Sequence, residues 1–179
     1  MKKSILICFL TFTHFTFSQF DNKSIENLAV EFINTLSPDL KNRTIFNLET
    51  SERTKFSFVP IERRGTSFKD FDKYQKKAAL KLLRASLSKK GFNKSEKIRQ
   101  LEKVLLKIEI PRLVFKGKEI IRDYLDYHFW IFGVPSKDSL WGWKFEGHHV
   151  SFNFTIKNNK ILSSTPSFLG ANPAVVNIE

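Results

Sequence analysis

The chain has 179 residues, enough for one domain with a proper core, and a formal charge of +12. Nineteen phenylalanines against seven glycines and six prolines exclude a low-complexity or disordered polymer. The single cysteine, Cys8, excludes a disulfide framework and a thiolate metal cage.

The first nineteen residues, MKKSILICFLTFTHFTFSQ, have the pattern of a secretory signal peptide. Lys2 and Lys3 form the positive n-region, Ile5 to Phe17 the apolar stretch, and Thr16 and Ser18 place small residues before a cut after Ser18. The stretch is too short for a stop-transfer helix; the rival reading is a retained membrane anchor. Cys8 sits near the start of the apolar core, not after it, so it is not read as a lipid-attachment site. No later segment approaches the ~18 consecutive apolar residues of a transmembrane helix. Cleavage would leave 19–179 as a single exported domain, periplasmic or extracellular, with no cysteine and, without Lys2 and Lys3, a charge of +10. Such a balance favours acidic polysaccharide, lipid headgroups or nucleic acid met outside the cell, or it is a lysine-rich solvated surface.

Ile25, Leu28, Phe32 and Leu36 recur at helical spacing behind Ser24 as N-cap, and Ser37 before Pro38 predicts a further short helical turn. TKFSFVPI at 54–61 alternates Phe56 and Phe58 with polar neighbours and reads as a strand, followed by a charged turn, ERRG at 62–65. Phe71, Tyr74, Ala78, Leu82 and Ala85 define the clearest helix, with Gly91 as its terminator. Lys69, Lys73, Lys77, Lys81 and Arg84 form a basic stripe there, either an anion-tracking face or the water side of an amphipathic helix. A third helix is expected over 95–110, with Ile98, Leu101, Leu105 and Ile108 inward and Pro111 ending it. Glu102 and Glu109 share one side of it, two turns apart, and could hold a metal or pair with Arg63, Arg64 or Arg112.

KEIIRDYLDYHFWIFG, 118–133, reads as a short helix or irregular segment, with His128 as a packed histidine. From Trp141 the chain looks extended. Val150, Phe152, Phe154 and Ile156 alternate with Ser151, Asn153 and Thr155, and KNNK at 157–160 turns the chain into ILSS as a β-hairpin. In WGWKFEGHHVSFNFTI, 141–156, the apolar positions are odd up to Phe145 and even from Val150. A strand cannot change parity without an extra residue or a break, so a bulge or break is predicted at Gly147–His149. It would re-aim Glu146 and one histidine together; the competing account is a plain polar loop.

Three chemistries fit that stretch. Glu146 and His148 or His149, with Glu102 or Glu109, offer nitrogen and oxygen ligands for zinc, iron or manganese, although HExxH and HxxEH are absent. A histidine base oriented by Glu146 would serve hydrolysis, with no G-x-S-x-G elbow to supply a nucleophile. Trp141 and Trp143 on one strand face could stack a sugar, or could be core. Phosphate-binding glycine loops, dinucleotide fingerprints and nucleic-acid motifs are missing.

The ordered set PIERRG (60–65), YQKKAALKLLRASLSKKG (74–91), IRQLEKVLLKIE (98–109), RDYLDYHFWIFGVP (122–135), WGWKFEGHHVSFNFTI and TPSFLGANPA (165–174) resembles the family called domain of unknown function 3500. The resemblance implies no activity. It does raise the standing of Glu102, Glu109, Trp141, Trp143, Glu146, His148, His149 and Asn172, and lowers that of His128. It also implies a longer domain, so that a chain ending at Glu179 is expected to be a truncated or compact version. The expected fold is α+β, its helical N-terminal two-thirds packed on a C-terminal antiparallel β-hairpin. The expected site is a polar or metal pocket, with Glu146, His148 and His149 catalytic and a divalent ion on Glu146, His148, Glu102 and Glu109. Trp141, Trp143, Asn172 and Arg64 are its expected ligand-binding residues. The alternative is a non-catalytic extracellular module for an anionic glycan, or an inactive fragment.

Overall fold

The structure, a computed structural model, describes residues 23–109, 113–115 and 117–175. The expected signal peptide with Cys8, the helix-ending Pro111 and Arg112 lie outside them.

The helices start where capping side chains permit. Ser24 Oγ accepts from Asn27 N ahead of α1 (Ile25–Thr35), and Ser37 Oγ accepts from Leu40 N ahead of α2 (Pro38–Thr44). A reciprocal capping box, Asp72 with Gln75, opens α3 (Lys73–Ala85). Ser88 Oγ takes Gly91 N at the start of α4 (Lys89–Gln100), so Gly91 lies inside a helix and does not terminate one. The single helix expected over 95–110 is two: α4 ends at a turn on Leu101, and α5 (Glu102–Ile108) follows. Ile98 and Leu105 are buried as expected, while Ile108 is exposed.

Among the described residues nine strands follow: β1 (Ile45–Phe46), β2 (Thr66–Ser67), β3 (Leu113–Phe115), β4 (Lys118–Ile120), β5 (His128–Phe132), β6 (Trp141–Gly147), β7 (Val150–Lys157), β8 (Lys160–Ser163) and β9 (Ser167–Leu169). Seven form one mixed sheet in the order β1-β5-β6-β7-β8, with β2 also pairing β5 and β9 also pairing β7. Its one parallel pair is β1 with β5; β3 and β4 pair apart from it. The fold is α+β, but not a helical two-thirds on a hairpin. The hairpin at 157–160 exists, with Asn158 and Asn159 both at positive φ, as the edge of a larger sheet.

Two physical reasons hid that sheet. Strand β5 is a nearly continuous apolar run, HFWIF, buried on both faces, and such a run carries no alternation to read. The short strands β1, β2 and β9 carry two or three residues, too few for any period. Conversely, the segment 54–61, read as a strand, pairs with none. Its backbone groups go to other partners: Ser57 N donates to Glu146, and the carbonyls of Ser57 and Val59 accept from Arg63.

The sheet's two faces differ. On one, Phe129, Trp143, Phe145, Phe152 and Phe154 join Phe32 of α1 and Leu82 and Leu83 of α3 in a continuous core. Ring pairs such as Trp143–Phe154 (4.8 Å) and Phe68–Phe129 (5.1 Å) interlock there. The other face carries Trp130, Lys144, Glu146, Ser151 and Asn153, covered by the segment after β1.

Candidate functional site

The functional candidates gather at one end of the sheet, where β6 turns into β7. Gly147 pairs with Val150, so His148 and His149 are a two-residue turn. Because Phe145 faces Phe152 and Trp143 faces Phe154, the odd positions of β6 and the even positions of β7 share one face. The parity change is therefore a hairpin break at His148–His149, not a bulge. Gly147 is there for close approach: a Cβ would lie 2.4 Å from the Tyr127 ring. The Tyr127 hydroxyl in turn donates to the His148 carbonyl at 2.6 Å. Full burial pushes that phenol well above its ordinary range, so it stays a donor.

The turn sends its two rings to different neighbours. His149 takes φ +60°, its N–H donates to Phe58 O at 2.8 Å, and its carbonyl accepts from Gly170 N at 2.9 Å. Its ring packs near Phe58 and Phe168, with Nδ1 buried against the Gly170 backbone. Burial, then the adjacent His148, holds its pKa below the ordinary histidine value.

His148 instead lines a cavity of about 570 Å³ whose walls include Glu102, Arg122, Arg63, Lys69 and Asp126. His148 Nδ1 lies 2.5 Å from Glu102 Oε1, both side chains being almost fully buried. A carboxylate accepts, so Nδ1 carries the proton in this pair. Arg122 Nη1 lies 3.2 Å from Nδ1 and 3.4 Å from Nε2. In the ring plane those two distances would force it onto Cε1, so the guanidinium lies over the imidazole face. With Nδ1 protonated, Nε2 is the nitrogen that carries the lone pair, and Arg122 Nη1 lies 3.4 Å from it. Arg122 is held from behind by Glu109, through Nε at 2.6 Å and Nη2 at 3.0 Å.

The expected residues thus separate. Glu102 meets His148, and Glu109 reaches it only through Arg122. Glu146 is spent elsewhere: Arg63 Nε donates to it at 3.1 Å, Ser57 N at 3.1 Å and Ser151 Oγ at 2.9 Å. Arg63 also donates to the carbonyls of Ser57, Val59, Ile61 and Gly147, which ties the covering segment to the turn. The four expected metal ligands do not converge; among the described residues no three His, Cys, Asp or Glu side chains are placed to hold an ion. Trp141 and Trp143 are fully buried in the core, so neither offers a stacking platform. Arg64 is exposed, lies over the Phe46 ring and pairs with Glu52 at 3.8 Å. Asn172 is half-buried and does not line the cavity.

Sequence reasoning missed Arg122, Tyr127 and Lys144, and read His128 as packed. His128 lines the cavity with Nε2 3.0 Å from Asp126 Oδ1; the alternation of Asp126 and His128 was the one available signal. Burial alone would raise Asp126, but His128, Lys69 and Arg63 together hold it below the ordinary carboxylate range. Lys144 is buried beneath the covering segment, its Nζ donating to the carbonyls of Glu52 (3.0 Å) and Lys55 (3.3 Å) above the Trp130 ring. Burial lowers its amine pKa, against the opposing pull of Glu146 and Glu52.

Fold and site define an α+β protein with a polar cavity at one end of a mixed sheet, walled by a carboxylate–histidine pair. The chain belongs to the family described as "Protein of unknown function (DUF3500)", whose model matches residues 19–179. No curated protein and no solved structure matches it.

Proposed function

We propose that the protein is an exported hydrolase of small polar substrates, with His148 as general base and then general acid. The observation that carries this reading is the buried Glu102–His148 hydrogen bond at the wall of the cavity. Glu102 holds Nδ1–H, so Nε2 is the basic nitrogen, and the carboxylate steadies the imidazolium once it forms. Water attacks the scissile carbonyl or equivalent electrophile as its proton passes to Nε2. The intermediate collapses as that proton moves to the leaving group, which departs with the bonding pair. Arg122, over the imidazole and fixed by Glu109, orients the ring from its face. Base catalysis of this kind needs no metal, which suits the dispersal of the expected metal ligands.

The reading assigns His149 a different task from the one expected: it anchors the turn, while His148 alone faces the cavity. The test is turnover of chromogenic esters, amides, glycosides and phosphoesters by the purified protein. Whichever class is cleaved, His148→Ala is expected to lower kcat/KM by about 10²–10⁴-fold, and Glu102→Gln by a smaller factor. Turnover unchanged in His148→Ala, or the absence of turnover for all four classes, would sink the hydrolytic reading.

A further inference from the structure

The charge of the molecule is not spread over it. Residues 73–108 contain twelve Lys and Arg against two Glu, a balance of +10 out of the chain's +12; Lys2 and Lys3 carry the other two, and the remainder is neutral. Of the twelve, only Arg99 is buried. Both acids are withdrawn: Glu102 is buried against His148, and Glu96 pairs with Arg99 at 2.7 Å. Eleven cations are thus left at the surface of α3, α4 and α5, with no exposed acid among them; one of them, Lys81, pairs with Glu31 of α1 at 3.1 Å.

Helical geometry sorts them. At about 100° per residue, Lys73, Lys77, Lys81 and Arg84 fall in one stripe of α3, opposite the buried Ala79 and Leu82, with Lys76 at its margin beside Leu83. Lys89, Lys90, Lys94 and Lys97 make a second stripe on α4, and α5, beyond the turn at Leu101, adds Lys103 and Lys107. Each stripe runs the length of its helix, so α3 alone presents cations over about 20 Å.

We infer that this face docks a linear acidic polysaccharide. Complementary charge is what a chain of regularly spaced sulfates or carboxylates supplies, and mainly lysine point charges on flexible stems tolerate its variable spacing. A bilayer is a poorer occupant: interfacial helices bury a continuous apolar face, and the large exposed hydrophobic residues of the three helices are only Tyr74 on α3 and Leu106 and Ile108 at the end of α5. Single-stranded nucleic acid would ask for open aromatic platforms between the cations, but the rings of Phe92 and Tyr124 are already covered by Arg84 and Lys103, which leaves Tyr74 as the exposed ring. The inference is independent of the hydrolytic reading, since no residue of the cavity wall belongs to the stripes.

The experiment compares two triple charge reversals of equal size in the full protein, using heparin and polygalacturonate as probes. Lys77→Glu with Lys94→Glu and Lys97→Glu alters the helical face; Lys137→Glu with Lys157→Glu and Lys160→Glu alters exposed lysines outside it. Circular dichroism first establishes that both variants keep the wild-type fold. The wild type is expected to bind both polymers with an affinity that falls steeply with salt. The helical triple should weaken binding by about ten-fold or more and flatten its salt dependence, while the other triple stays within about two-fold of wild type. Equal weakening by both triples would mean that bulk charge acts and no face exists, overturning the proposal. So would failure of the wild type to bind either polymer, or co-sedimentation with phosphatidylglycerol vesicles in place of polysaccharide binding.

Discussion

The β6–β7 ribbon has one face built by aromatic packing and another built by buried polar groups, and the two are stabilised in different ways. Against the helices, Trp143, Phe145, Phe152 and Phe154 need only volume and alternation, and each contributes through area removed from water. Beneath the covering segment, Lys144, Glu146 and Ser151 lose water entirely and are tolerable only because named partners replace it. Those partners are mostly backbone groups of a segment with no strand pairing of its own. The polar face therefore ties down an irregular loop that hydrophobic packing alone would leave unspecified, and that loop in turn reaches the His148–His149 turn through Arg63 and Phe58.

The comparison breaks most visibly at the two centres. Trp143→Ala on the apolar face and Arg63→Ala on the polar face are each expected to cost about 3–5 kcal/mol in denaturant unfolding, the first by a cavity, the second by stranding Glu146. They should part company on rescue. Replacing both charged partners, Arg63→Met with Glu146→Leu, should recover part of the loss, while the carbonyls Arg63 serves stay unpaired. Full recovery would show that the backbone contacts add nothing.

Smaller effects sharpen the contrast. Lys144→Met keeps bulk but strands the carbonyls of Glu52 and Lys55, an expected loss of about 1–3 kcal/mol. Gly147→Ala should lose a similar amount, about 1–3 kcal/mol, by driving a methyl into Tyr127. Asn159→Ala, in the left-handed turn, should cost only about 1 kcal/mol, through the positive φ and the loss of the weak 3.4 Å acceptor for Glu26 N.

The pH response belongs to the turn that joins the two faces. Because the folded pKa of His149 is depressed, its contribution is fully present above the ordinary histidine pKa and is lost as pH falls through the folded value. Denaturation midpoints measured at about pH 7.5 and about pH 5.5 should drop on acidification in the wild type and less in His149→Gln. An identical drop in both would move the acid sensitivity elsewhere.

Helix starts were legible because capping is local: Ser24 and Ser37 each satisfy a backbone N–H within three residues, and a linear reading contains that distance. The β7–β8 hairpin was legible from alternation and KNNK. The break in WGWKFEGHHV was legible from parity, because the pleat allows no other way to change faces. The site was only half legible. Glu102 and His148 were singled out separately, but Glu146, beside the histidines in sequence, is committed to Arg63, whereas Glu102, forty-six residues away, meets His148. Local spacing and pleat parity lie within the chain's own covalent geometry, so the amino-acid sequence by itself determined the helix caps, the hairpin and the break at the turn. Which carboxylate meets which cation depends on how α5, the 121–127 segment and the turn pack around one cavity, so only the tertiary structure decided that His148 pairs with Glu102 while the tryptophans became core.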